Sequence, residues 1–175
     1  SLVRLQKALI IVDPNKLFMQ TSSNNGEQEM HFFFPMENTG TTPTRSLAAH
    51  INRMISPTPM PKDFTYPDIY PPKNEPGSRN DLVPVIGPKD SRPMEAMISR
   101  QQYEMWTRHE VHLYFYGWAE YNDIFDKTPR HITRFCYEAF PVETVRNAAG
   151  QQTNGVQLAV IGTFFNCYDG ECKAR

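Results

Sequence analysis

Three cysteines in 175 residues are too few to staple a fold, and a chain of this length buries enough surface not to need a disulfide framework. Charge of either sign is not in excess. Eighteen Lys and Arg face nineteen Asp and Glu, a formal net charge of -1, which excludes a polybasic role on nucleic acid or anionic lipid. The longest aliphatic run covers residues 8–12 and mean hydropathy is -0.55, so these residues contain no membrane-spanning segment. The nine glycines are spread thinly, without a Gly-x-Ser-x-Gly, a Gly-rich phosphate loop or a Gly-x-Gly-x-x-Gly. That removes the commonest routes to acyl transfer and nucleotide chemistry. The chain starts at Ser1 and shows neither a signal nor a transit segment, so it reads as an excised or processed portion of a longer protein.

Apolar and aromatic residues, at 39% and 12%, are enough for one folded domain over 1–175. Residues 7–13 are β-branched and apolar and stop at Pro14, predicting a first strand. A polar turn over 22–26 precedes Glu29-Met-His-Phe-Phe-Phe-Pro-Met-Glu37, a second strand in which Pro35 predicts an edge or a bulge. Asn38, Gly40 and Pro43 supply turn chemistry before 47–55, read as a third strand although Leu47, Ile51, Met54 and Ile55 also fit a short helix. Ten of the fifteen prolines fall in 56–93. They predict a long insertion pinned to the surface by Phe64, Tyr66 and Tyr70, or a binding element, with short strands at 83–86 and 94–98.

Ser99 is placed to cap one short helix within 99–110 that covers an open end of a sheet. In 111–121 one face carries Val111, Leu113, Phe115, Gly117, Ala119 and Tyr121, the other His112, Tyr114, Tyr116, Trp118 and Glu120. Both faces are largely apolar, which predicts a central strand with its second face covered by the insertion or by a partner. A strand at 132–140 returns antiparallel, 141–154 reads as a loop, 156–165 is the last strand and 166–175 a tail. Several strands, one helix and no βαβ alternation predict a mainly β fold, an antiparallel β-sandwich of immunoglobulin type or a partly open barrel.

Chemistry-bearing patterns are sparse. His109-Glu-Val-His112 has its histidines three apart instead of four and straddles the helix-to-strand boundary, so it does not build a zinc site, and no metal or cofactor is expected. His31, His50 and His131 are isolated along the chain. Tyr114, Tyr116 and Trp118 at alternate positions, with His112 and Arg134 near, form either a stacking platform for a ring or an aromatic core face. Lys127, Arg130 and Arg134 add only local positive charge, too little for a nucleic acid polymer. Asp123, Asp126 and Glu120 are turn acids, or with His131 the acid and base of a hydrolase. In Cys167-Tyr-Asp-Gly-Glu-Cys172 a turn lies between two thiols, which either close a small loop in an oxidising compartment or stay free; two thiolates do not make a zinc site.

Glu37-Asn-Thr-Gly-Thr-Thr-Pro-Thr44, and Leu113-Tyr-Phe-Tyr-Gly-Trp-Ala-Glu-Tyr-Asn-Asp-Ile-Phe125 followed by Thr133-Arg-Phe-Cys-Tyr137, resemble a group of small, largely uncharacterised bacterial membrane-anchored proteins. In that group N-terminal membrane helices, often with a helical stalk, precede a β-rich soluble domain. The resemblance implies that residues 1–6 end a stalk, that an anchor lies upstream of Ser1, and that the domain faces the cytoplasm. A Cys167–Cys172 bridge would place it instead in a periplasmic or extracellular setting. The insertion at 56–93 is longer than the group leads one to expect. The resulting expectation is a non-enzymatic domain that recognises a protein partner, itself included, or a small ligand, through Tyr66, Tyr70 and the aromatic face. Alternatives are a nucleotide-signal sensor, a subunit of a shell or filament, and the hydrolase.

Overall fold

Asn25 and Gly26, both at positive φ (51° and 83°), make the two-residue turn that right-twisted strands favour. It joins β2 (Phe18–Asn24) to β3 (Glu27–Asn38) in a hairpin registered from Asn24↔Glu27 to Phe18↔Phe33. The polar stretch expected as a turn over 22–26 therefore belongs mostly to a strand. β2 is an edge strand, and its serines and threonine leave a polar face and flank to water. The computed structural model that gives this architecture describes residues 7–65, 81–83, 85–146, 152–160 and 166–173.

β1 is shorter than expected, Ile10–Val12, and pairs with the far end of β3 through Val12↔Met36 and Ile10↔Asn38. A 3-10 turn at Pro14–Lys16, begun by the Asp13 carboxylate accepting from Asn15 N, leads from β1 to β2. On the other flank of β3 lies β6 (Ser91–Ser99), completing a four-stranded antiparallel sheet. Pro35 thus stands in an interior strand, without the expected edge. It is tolerated because pairing with β2 ends at Phe33 and pairing with β1 begins at Met36, so its missing N–H falls in the gap. Its partner in β6 is Pro93, also without an N–H, so the two backbones turn their nitrogens away from each other.

The second sheet is built on β4 (Arg45–Ser56), β7 (His112–Asn122) and β8 (His131–Arg146), all antiparallel. β4 settles the strand-or-helix ambiguity at 47–55 in favour of a strand. β5 (Asp81–Val83) pairs with Leu47–Ala49 of β4, while β9 (Gln152–Val160) and β10 (Cys167–Tyr168) share the outer flank of β8. The chain is mainly β in two antiparallel sheets, with no closed barrel among the described residues. Further sequence expectations need correction. Residues 141–146 continue β8 instead of forming a loop, because pairing with β7 ends at Ala139 and Pro141 has β9 as its one neighbour. The insertion yields its ends to strands, with β4 running to Ser56, β6 starting at Ser91 and β5 lying at Asp81–Val83, just before the expected 83–86. Tyr66 and Tyr70 lie outside the described residues.

α1 (Arg100–Thr107) begins as predicted at Ser99, whose hydroxyl accepts from Gln102 N while the Gln102 side chain accepts from Ser99 N. A second, one-turn helix, α2 (Gly170–Lys173), closes the Cys167–Cys172 loop where only a tail was expected. Facing sides of the two sheets share one core. Phe32 and Phe34 each meet Phe115 at 4.8 Å between ring centres, and Trp106 of α1 lies edge-on to Phe32 and donates from Nε1 to Ala139 O at 2.8 Å. Each such ring contributes about 1.5–3 kcal/mol by leaving water. β1 is bonded across the core to the second sheet: Ile10 N donates to Tyr121 Oη, Thr133 Oγ1 to Ile10 O, and Tyr137 Oη to Val12 O. The 38–44 segment turns around buried Asn38, whose amide accepts from Leu9 N and Gly40 N and donates to Thr42 O and Ile86 O.

Candidate functional site

The aromatic face of β7 is covered. Tyr114, Tyr116 and Trp118 retain 1%, 4% and 5% of their exposure. Residues 57–65 run over this face: Met60 N donates to Tyr114 Oη at 3.1 Å, Phe64 meets Tyr116 edge-on at 5.2 Å, and Met60 packs on Tyr116 and Cys136. Burial pushes the Tyr114 phenol up from its usual range. His112 is bonded to Glu138 at 2.7 Å and stacked on Tyr114. Arg134 sits opposite Trp118 across the β7–β8 pairing and reaches Cys172 O at 3.5 Å. Tyr114 and Tyr116 therefore lie under the start of the insertion, with His112 stacked beside Tyr114, whereas Arg134 reaches toward the Cys167–Cys172 loop, and no open ring site forms on this face among the described residues.

His131 and Asp123 also converge, and the imidazole lies between two carboxylates. His131 Nε2 meets Asp123 Oδ2 at 2.7 Å and Nδ1 meets Asp169 Oδ2 at 2.9 Å. Both ring nitrogens are thereby engaged by carboxylates. The other carboxylate oxygens are occupied too: Asp123 Oδ1 accepts from Ala8 N at 2.8 Å, and Asp169 Oδ1 from Ile132 N at 3.1 Å. Burial opposes charge on His131, but hydrogen bonds and attraction from Asp123 and Asp169 outweigh it and raise its pKa. Asp126 lies exposed beside Arg45 at 3.6 Å, and Glu120 is held by Arg130 at 3.1 Å, so neither joins. Asp169 was missed. Its place in the turn between two cysteines was the available signal, and the cysteines are bridged. The clamp ties the N-terminal segment, the β7–β8 connection and the disulfide loop together. His109, at φ 59° just past α1, and His112 in β7 straddle a boundary as expected.

Sequence reading also missed a groove between the sheets. β6 pairs with β3 on one flank only, and β4 beyond Ala49 pairs only with β7, among the described residues. The gap holds two adjoining cavities. One, of about 360 Å³, includes Met36, Ala49, Ile51 and Met94 in its walls; the other, of about 330 Å³, includes Ile51, Ala96 and Met97, and Glu95 borders both. The Pro35↔Pro93 pair sets the backbone phase. Pro93, Glu95 and Met97 direct their main-chain groups away from β3 into the gap, whereas Met94, Ala96 and Ile98 bond to β3. Glu95 and Met97 therefore offer N–H donors, and Pro93, Glu95 and Met97 offer carbonyl acceptors, along an open strand flank.

No family model, curated protein or solved structure matches this chain. Among the described residues no helix is long and apolar enough to cross a membrane. The Cys167–Cys172 bridge is consistent with an oxidising compartment.

Proposed function

We propose that this is an interaction domain, an immunoglobulin-like β-sandwich working in an oxidising compartment and tethered through a segment outside this chain, which captures an extended polypeptide along β6. The observation that carries this reading is the flank of β6 that has no partner strand among the described residues, beside two cavities. Their β6 walls are centred on Met94 and on Ala96, two residues apart. Side chains on one face of an added strand recur every second residue, about 6.8 Å apart, so an incoming segment with apolar residues at alternate positions seats one in each cavity. Arg53 and Glu95, of opposite sign, leave the rim without net charge and suit a neutral segment. Main-chain bonds to Glu95 and Met97 supply affinity, and the cavities supply selection.

A fluorescent peptide of alternating valine and serine tests this by anisotropy. Binding is expected, and Met97→Pro, which removes a donor from the open flank while leaving the bonds to β3, is expected to weaken it about fivefold, the equivalent of roughly 1 kcal/mol for one hydrogen bond. Equal binding of a peptide N-methylated at the bonding positions would show that no strand is added. If the labelled peptide fails to bind but the protein self-associates through β6, the occupant is a second copy.

A further inference from the structure

On the outer face of the first sheet, three side chains from three strands form a diagonal relay. Ser22 of β2 lies across from Glu29, His31 of β3 across from Gln20 and Met97, and Glu95 of β6 across from Phe33. Diagonal neighbours on one face of a sheet are within reach of long side chains. Ser22 Oγ lies 2.6 Å from His31 Nε2, and His31 Nδ1 meets the Glu95 carboxylate; because the carboxylate can only accept, it draws the ring proton to Nδ1 and leaves Nε2 of the neutral imidazole to accept from the hydroxyl. Phe33 stacks on the imidazole, Phe18 stacks on Phe33 at 4.8 Å, and the ring is thereby held from the side as well as by Glu95. Glu29, 3.7 Å from Nε2, is the other charged group facing the ring.

This is the order that nucleophilic catalysis requires: a hydroxyl on a base, the base oriented by a carboxylate. In contrast to His131, His31 has Nε2 on a hydroxyl instead of an acid, and Ser22 is exposed. Two further features point to an acyl group. Phe18 and Met97, 44% and 41% exposed, offer apolar ground on either side of His31. The tight turn at Asn25–Gly26 makes Asn24↔Glu27 a bonded pair, and hence Ser22↔Glu29 also, so the N–H of Ser23 points off the flank of β2 that has no partner strand among the described residues and is open to a substrate oxygen.

We propose that Ser22 is an activated nucleophile that accepts acyl groups from activated esters of short apolar acids, an activity separate from capture along β6. Ser22 Oγ attacks the carbonyl carbon as its proton passes to His31 Nε2. The ester C–O bond breaks, and the leaving oxygen takes that proton. Water, deprotonated by His31, then attacks the acyl-serine, releasing the carboxylic acid and regenerating the hydroxyl. Glu95 positions the imidazole.

The test is p-nitrophenyl butyrate turnover together with labelling of the intact protein by an alkyl fluorophosphonate, the adduct located by peptide mass spectrometry. The adduct is expected on Ser22, lost in Ser22→Ala and slowed about 100-fold in His31→Ala, the low end for a positioned base. Glu95→Gln is expected to lower kcat with KM little changed, and Glu95→Asp to restore part of it, a split that a purely structural role would not produce. Circular dichroism confirms the fold of each variant. Absence of a Ser22 adduct, or equal labelling in His31→Ala, would overturn the proposal. Ser22→Ala should still bind the alternating valine–serine peptide, so that failure here and failure of strand capture are told apart.

Discussion

At the scale of single residues, the molecule depends on polar groups buried with all their partners. Asn38 holds four main-chain groups from three segments, and Asn38→Asp leaves the Thr42 and Ile86 carbonyls facing a carboxylate. At about 1–3 kcal/mol for each buried group left unsatisfied, that substitution should lower stability by roughly 2–6 kcal/mol in urea unfolding. His131 makes stability depend on pH. Because its folded pKa is raised above 6.5, its contribution is complete below that value and is lost as pH rises through the folded pKa. Thermal melting followed from pH 6 upward should therefore show a decline that is absent in His131→Gln; a decline of equal slope in the variant would assign it to another group. The sequence offered Asp123 beside His131 only as one of three possible acids, and the rest of the clamp was not legible. Asp123 and Asp169 were visible as turn residues and His131 as an isolated histidine, but Asp123 and Ala8 are 115 positions apart and His131 and Asp169 are 38 apart, separations at which residue type carries no information on contact.

At the scale of elements, legibility followed burial. β7 was read correctly because both its faces are apolar, and the structure buries every residue from 113 to 119. β2 was missed although Asn25-Gly26 is a strong hairpin signal, since its Gln-Thr-Ser-Ser-Asn run looks like a turn until one sees that it forms an edge. The second half of the β8–β9 hairpin was hidden by Pro141, which fits where a strand has only one bonded neighbour. Gly117 shows how tightly β7 is fitted: a Cβ there would stand 2.1 Å from His50 O and 2.7 Å from the Phe135 ring. Gly117→Ala must force β4 and β7 apart, and should cost at least about 1–3 kcal/mol in chemical denaturation. Ser99→Ala, which opens the capping box of α1, should cost about 1 kcal/mol by the same assay.

At the scale of the whole molecule, two antiparallel sheets meet through Phe32, Phe34 and Phe115, and the ends are tied by β1, by α1 and by the disulfide loop. The mainly β class followed from period-two patterning, whereas the groove did not. An open flank is a property of which strands find neighbours, and alternation along β6 reads the same with one neighbour as with two. Reducing the Cys167–Cys172 bridge should cost roughly 2 kcal/mol for so short a loop, and less in a His131→Gln background, because the loop's carboxylate contact is then already gone. Strand capture along β6 is tested most directly by amide hydrogen exchange with and without the alternating valine–serine peptide. In the free protein Ala96 and Ile98 should be protected while Glu95 and Met97 exchange quickly, and saturation with peptide should slow Glu95 and Met97 alone. Rapid exchange of those two amides in the saturated complex would contradict the account.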